Sequence, residues 1–201
     1  MPRFVPVTAA TAGDLERFSG TYGTFRWCSC MRWRLRSTPF RDSGKEGRAA
    51  ALAEQVSAGE PVGILAYAEP TEPTEPTEPT EPTEPTEPVG WCAVAPRDSY
   101  AAIGASRVIP HLPGDQVWSV TCFFVAPKAR HQGLREGLLD AACAYAADAG
   151  ARILEAYPSP NGKAYRYMGT RELYLKAGFV EVEVDVRVDE ARARPVMRKA
   201  L

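Results

Sequence analysis

The chain has 201 residues, 45% of them hydrophobic and 24% charged, which fits one soluble domain or two small ones and excludes a disordered or fibrous chain. No apolar run approaches the roughly 18 residues of a membrane helix. The opening Met1-Pro2-Arg3-Phe4-Val5-Pro6 lacks the apolar stretch of a secretory signal, so a cytoplasmic protein with no membrane contact is expected. The net charge of −1 hides an asymmetry: seven Glu sit in one Glu-Pro-Thr repeat, residues 69–88, and the other 181 residues carry 18 acidic and 24 basic side chains. That moderately basic remainder suits a polyanionic small ligand, and without a long Arg/Lys run no nucleic-acid partner is expected.

Taken in chain order, Phe4 to Thr8 reads as a short strand and Ala12 to Ser19 as a turn or two of helix. Thr24 to Arg36, dense in Trp, Cys, Met and Arg, has no clear period. Ser43 to Ala58 carries Ala50, Leu52 and Val56 near helical spacing. Pro61 to Tyr67 and Val89 to Val94 are apolar runs on either side of the repeat and predict an antiparallel hairpin. The repeat itself has no apolar side chain and a Pro at every third position, so it cannot pack and is expected to be disordered. Its period matches polyproline II, which at roughly 3.1 Å per residue would reach about 62 Å. It is therefore read as an insertion at a hairpin tip within a single domain spanning 1–201. Loop entropy grows slowly with length, so such an expansion is tolerated on a surface. An acidic arm that visits a partner is the alternative.

Tyr100 to Ile109 is ambiguous. Val117 to Val125 is β-branched and aromatic, hence a buried strand, and Pro127 breaks it. A polar turn, Lys128 to Gln132, leads to Gly133. Leu134, Leu138, Ala142, Tyr145 and Ala149 then mark one face of a long helix that Gly150 closes. Arg152 to Tyr157 is a strand. Gly169 to Ala177 is a short helix with Thr170 as N-cap and Gly178 as its stop. Phe179 to Val188 alternates strictly, as a strand with one wet face does, and Pro195 to Arg198 forms a last strand. This order predicts an α/β fold, a sheet with helices on both faces.

Five cysteines, Cys28, Cys30, Cys92, Cys122 and Cys143, are an odd number spread over apolar segments, so reduced, mostly buried thiols are expected. Cys28-x-Cys30 has no second Cys pair, and His111 and His131 are the only histidines, so no metal is expected.

The chemistry is concentrated between Phe123 and Leu139. A helix that starts just after a turn presents unpaired N–H groups and the positive end of its dipole, a ready phosphate site. Here the turn is Arg130-His131-Gln132-Gly133-Leu134-Arg135; Gly133 allows close backbone approach, and the two arginines suit phosphate oxygens. No Gly-Lys-Ser/Thr follows, and only one of the three dinucleotide glycines is present.

On these residues the sequence resembles the GNAT family of acetyl-CoA-dependent N-acetyltransferases. Val125-x-Pro127-x-x-Arg130-x-x-Gly133-Leu134, followed by Leu138-Leu139, is similar to the family's pyrophosphate-binding strand, turn and helix. Leu173-Tyr174-x-x-Ala177-Gly178-Phe179 looks like its closing helix and turn. Two departures stand out: His131 replaces a usual Gly, and Arg135 replaces a small residue, which it would do by clamping a phosphate. The resemblance implies a mixed, mainly antiparallel central sheet flanked by helices, and an acetyl-CoA site at Phe123, Phe124, Val125, Arg130, His131, Gln132, Gly133, Leu134 and Arg135. It implies direct acetyl transfer to a primary amine, of a small molecule in the first instance, with a protein amine as a further option.

Tyr174 matches the family position that hydrogen-bonds the departing sulfur, and Tyr165 and Tyr167 are near enough to substitute. The strand Val117 to Val125 holds no carboxylate. Glu155, inside an apolar strand, is the candidate base, since a carboxylate placed there needs a reason; a structural hydrogen bond is the alternative, and Asp115 is a more distant base. Trp27, Met31 and Trp33, crowded with arginines, would line the acceptor site by family analogy, or else pack in the core under arginine stems. A bacterial source and a homodimer are further expectations. The rival reading is a non-catalytic acyl-CoA sensor or protein-interaction module on the same fold.

Overall fold

Apolar strand runs that are buried on both sides need helices over each face, and the chain supplies them in sequence order. The computed structural model describes residues 1–68, 87–159, 166–183 and 194–201. Strand β1 (Arg3–Pro6) is followed by four helices, α1 (Ala12–Thr21), α2 (Gly23–Cys28), α3 (Ser37–Asp42) and α4 (Gly44–Ser57). Next come β2 (Ile64–Tyr67), β3 (Pro88–Pro96), the short α5 (Ala101–Gly104) and β4 (Val117–Val125). The chain ends with α6 (Leu134–Asp148), β5 (Ile153–Ala156), α7 (Arg171–Lys176), β6 (Val180–Val182) and β7 (Val196–Ala200). No helix is long and apolar enough to cross a membrane among the described residues.

The strands form one mixed, mainly antiparallel sheet in the order β1-β2-β3-β4-β5-β7-β6. Every neighbouring pair is antiparallel except β4 with β5. The two strands flanking the repeat do pair antiparallel, with Tyr67 opposite Pro88. Repeat residues 69–86 lie outside the described residues, as do Tyr165 and positions 184–188 of the alternating run. Three helices were not foreseen: α2 opens the segment without a clear period, α3 follows directly after it, and α5 falls in the ambiguous segment from Tyr100.

Consecutive side chains on a strand point to opposite faces, and both faces are covered. Trp91 packs on Phe25 of α2, with ring centroids 5.8 Å apart, while a Cβ added at neighbouring Gly90 would meet Leu138 of α6. Phe124 touches Phe18 of α1 and Tyr22 just after it, and Trp118 meets Tyr145 of α6 edge to face. Leu138, Leu139, Ala142 and Ala146 of α6 are fully buried; of the face that the spacing predicted, Leu134, Leu138 and Ala142 are buried, Tyr145 is half-buried and Ala149 is exposed.

One glycine is required by contact. Gly63 has φ of 154°, and a Cβ there would lie 2.2 Å from the Cys92 carbonyl oxygen and 2.6 Å from the Trp91 ring. Neither backbone nor a fully buried indole can move aside cheaply. Gly63→Ala is expected to cost about 1–3 kcal/mol, read as a lower urea midpoint at unchanged slope. An unshifted midpoint would mean that β2 and β3 slide freely against each other.

Candidate active site

The sheet opens where β4 outruns β5. The parallel pairing covers only Val117 to Val120 against Ile153 to Ala156, and from Thr121 onward β4 bonds to β3 alone. The β3–β4 register also shifts here: Ala93 faces Cys122 and Val94 faces Val120, leaving Thr121 as the extra residue of a bulge. A bulge bends its strand and increases the twist. Two cavities lie along the splayed end of β4.

The first, of about 490 Å³, is walled by Val125, Arg130, His131, Gly133, Leu134 and Arg135. Gly133 is the N-cap of α6 at φ 70°, and no side chain caps the helix, so the N–H groups of its first turn are left for a ligand or solvent. No atom lies within 4 Å of a Cβ added at Gly133. His131 is also left-handed, at φ 64°, which explains why a glycine suits this position: an L residue is strained there by about 1–2 kcal/mol. Arg130 Nε donates to the Val125 carbonyl at 3.4 Å. Arg135 Nε is buried in the wall without a hydrogen-bond partner among the described residues. An orphaned guanidinium N–H beside uncapped helix amides is a donor set suited to phosphate oxygens. Of the other residues expected to meet the coenzyme, Gln132 is exposed and outside this wall, Phe123 is 1% exposed in the core, and Phe124 belongs to the second cavity.

The second cavity, of about 270 Å³, is aromatic. Trp27, Trp33, Phe40, Phe124 and Tyr167 line it together with Arg32. Trp27 and Trp33 stand where the acceptor reading placed them; Met31 does not, being fully buried in the core and outside the wall. Thr121 and Cys122 of the bulge form its floor. Among the described lining residues there is no carboxylate and no imidazole. Sequence reasoning missed the residue that holds this wall together. Arg48, 3% exposed on α4, donates to the Trp27 carbonyl at 2.8 Å and to the Phe40 carbonyl at 2.7 Å. Its guanidinium also lies 4.6 Å from both ring centres, so one side chain ties α2 and α3 to α4. A lone Arg in a helix that otherwise reads as amphipathic carries no signal of this role.

All five cysteines are free. Burial pushes the Cys28 thiol up to about 11 and the Cys30 and Cys92 thiols well above their usual range, so these stay protonated at neutral pH and are poor nucleophiles. No cluster of potential metal ligands occurs among the described residues.

Tyr174 is fully buried on α7, whose N-cap Thr170 accepts from Leu173 N–H as expected. Its hydroxyl donates to the Met168 carbonyl at 2.7 Å, and its ring centre is 6.4 Å from that of Phe123. Leu173 beside it lines the first cavity and Met168 lines the aromatic one, while Tyr174 itself lines neither. Burial first, and then nearby thiols, lift the phenol well above its ordinary range. Tyr167, its proposed substitute, is 41% exposed and stacks on Phe124.

Glu155, the candidate base, stands elsewhere. It is 1% exposed and lines neither cavity. Oε1 accepts from Arg198 Nε at 2.8 Å and from Arg97 at 3.2 Å, and Oε2 accepts from the Tyr157 hydroxyl at 2.6 Å. Tyr157 is in turn 2.8 Å from the Ser119 hydroxyl. Register explains the cluster: Ser119, Glu155 and Arg198 lie side by side on β4, β5 and β7. With both oxygens engaged and no route to an amine, the carboxylate fits the structural alternative. Asp115 lines neither cavity.

Comparison with known proteins agrees with this arrangement. No curated protein sequence matches the chain. Solved structures share its fold at low identity. The acetyltransferase of GNAT family from Streptococcus pneumoniae superposes with a TM-score of 0.51 at 15% identity, over 100% of both chains. The PaiA N-acetyltransferase of Thermoplasma acidophilum, solved with coenzyme A, gives 0.52 at 12% identity, covering 100% of this chain and 99% of that one. The aminoglycoside N-acetyltransferase AAC(6')-Iy, also solved with CoA, gives 0.54 at 13% identity over 94% and 95%. The acetyltransferase (GNAT) family matches residues 19–179, and with the splayed sheet and uncapped turn in place the chain belongs to that family.

Proposed function

We propose that the protein transfers an acetyl group from acetyl-CoA directly to a primary amine on a small molecule. The observation that carries this reading is the pair of cavities along the splayed end of β4, one lined by Arg130, Arg135 and Lys176 as well as Glu136 and Glu172 at an uncapped helix start, the other by an apolar, aromatic wall. Acetyl-CoA would supply the thioester as co-substrate. The first-turn amides of α6, with Arg130 and Arg135, bind its pyrophosphate. Backbone groups of β4 near Val125, released from β5, orient the pantetheine arm, and an N–H there meets the developing oxyanion. Tyr174, held protonated by burial, turns its hydroxyl from the Met168 carbonyl to the leaving sulfur. With no carboxylate or imidazole in the described acceptor wall, the amine's proton leaves through solvent. The Glu-Pro-Thr tract is an insertion at the β2–β3 tip, outside this chemistry.

Calorimetric titration tests the donor site. Acetyl-CoA and CoA should bind in the micromolar range and ATP much more weakly. Arg135→Ala should weaken acetyl-CoA about tenfold, the worth of one charge-assisted hydrogen bond to a phosphate. Failure of wild-type protein to bind either CoA species would remove the transfer reading. Tight binding without turnover on any amine would favour an acyl-CoA sensor.

A further inference from the structure

The aromatic cavity has a neighbour on its far side. Arg32 and Trp33 form a shared wall with a third hollow of about 480 Å³. That hollow is bounded by Arg36, Ser37 and Thr38 at the start of α3, by Ser106 after α5, and by Arg194 before β7. Three guanidinium groups and three hydroxyls thus surround one space, and neither cavity has a carboxylate in its described lining.

The arginines are held in different ways. Arg194, 7% exposed, donates to the Tyr157 carbonyl at 3.2 Å and lies 5.7 Å from the Trp33 ring centre. Arg32 is half-buried and stacks over Trp33 at 5.2 Å and over Phe40 at 5.7 Å. These ring contacts hold its guanidinium carbon near both rings and use none of its N–H donors. Arg36 is exposed at the rim. Among the described residues no carboxylate pairs with Arg32 or Arg36, although 25 acidic residues are present in the chain. Such a hollow holds a positive potential at low cost only if an anion or counter-ions enter it.

We propose that the acceptor is an amine on an apolar, aromatic body whose far end carries an anionic oxygen group, a carboxylate or a phosphate. This rests on the transfer reading and names the substrate class of the same site. The body fills the space between Trp27, Trp33, Phe40 and Phe124. The amine points to the splayed strand, and the anion reaches through the shared wall to Arg32 and Arg36. A planar guanidinium locked by ring stacking presents a fork that matches carboxylate or phosphate geometry. The same charges work against polycationic amines. An acceptor with several ammonium groups would meet Arg32 and Arg36 with no carboxylate in either described lining, which costs affinity through like-charge contact.

The test is equilibrium binding to the full chain saturated with CoA, with turnover as a separate readout. The probes are 4-(aminomethyl)benzoate with its methyl ester, tyramine phosphate with tyramine, and the polycations spermidine and kanamycin. The expected result is that the benzoate or the phosphate, whichever anion the hollow takes, binds at least tenfold tighter than its neutral counterpart, and that the polycations bind weakest. Arg32→Gln should collapse that ratio. Arg36→Gln, at an exposed position where folding is not at stake, should reduce it several-fold. Equal binding within both pairs, tighter binding of spermidine or kanamycin, or no binding of any probe would overturn the proposal. Selective anion binding without acetylation by acetyl-CoA would leave the ligand class of the cavity standing and count against the transfer reading instead.

Discussion

Glu155→Ala is expected to lower the stability of the protein by roughly 3–5 kcal/mol, the cost of deleting one member of a buried ion cluster. The arginine side chains it leaves behind, Arg97 and Arg198, are only 10% and 17% exposed. Neither could recover its hydration without opening the sheet. Tyr157, which is fully buried, would lose its acceptor as well. The damage should be central, because the cluster spans β4, β5 and β7 at one register level. Thermal unfolding and kcat, measured together, separate this role from catalysis. A structural carboxylate predicts a large fall in Tm, with activity lost in proportion to unfolded protein. Unchanged Tm with kcat collapsed would place Glu155 in the chemistry after all. Glu155→Gln, which keeps an acceptor for Tyr157 but removes the charge, should fall between wild type and alanine.

The second large effect is expected on turnover. Tyr174→Phe should reduce kcat by about 10²-fold, the lower end of what a positioned proton donor contributes. The dissociation constant for acetyl-CoA should barely move, because the phosphate-binding turn is untouched. The substitution also leaves the Met168 carbonyl without its donor at a buried site, so a stability loss of about 1 kcal/mol should accompany it. Rapid single-turnover kinetics on folded protein isolates the chemical step from that loss. If kcat stays within threefold of wild type, the sulfur leaves without help from this hydroxyl.

How far the sequence carried the interpretation depends on the range of the interactions involved. Strand Val117–Val125 is legible to the residue because its signal is local: a β-branched and aromatic run with Pro127 behind it. The Thr170 cap and the apolar stripe of α6 are legible for the same reason. The turn from Arg130 to Gly133 was also readable, since a strand, a break and a helix follow each other directly. What was not readable depends on distant partners. Glu155 looked like a base because its alternation was wrong for a core strand; its counter-charges are Arg97, 58 positions earlier, and Arg198, 43 positions later. Met31 and Trp33 share a segment and a composition, yet one is buried and the other lines a cavity. Only the left-handed turn at Ser29 and Cys30, with φ of 46° and 50°, decides which way each points. Arg48 is silent in sequence, because the carbonyls it satisfies belong to two other helices.

The partial pairing of β4 and β5 has a consequence for the fate of the protein without its ligands. An open sheet normally has two edges, both at its margins, where charge, proline or twist can discourage another chain from adding a strand. Among the described residues this sheet has a further edge in its interior, from Thr121 to Val125, whose Thr121, Phe123 and Phe124 are buried, and ordinary gatekeepers would not fit there. The segment is apolar, β-branched and aromatic, and free of charge. It therefore combines the features that favour intermolecular β-addition with a position that selection must keep open. If acetyl-CoA binds as proposed, its extended pantetheine arm would lie along this edge as a missing strand, and the coenzyme would then be expected to raise the solubility of the protein as well as supply its acetyl group.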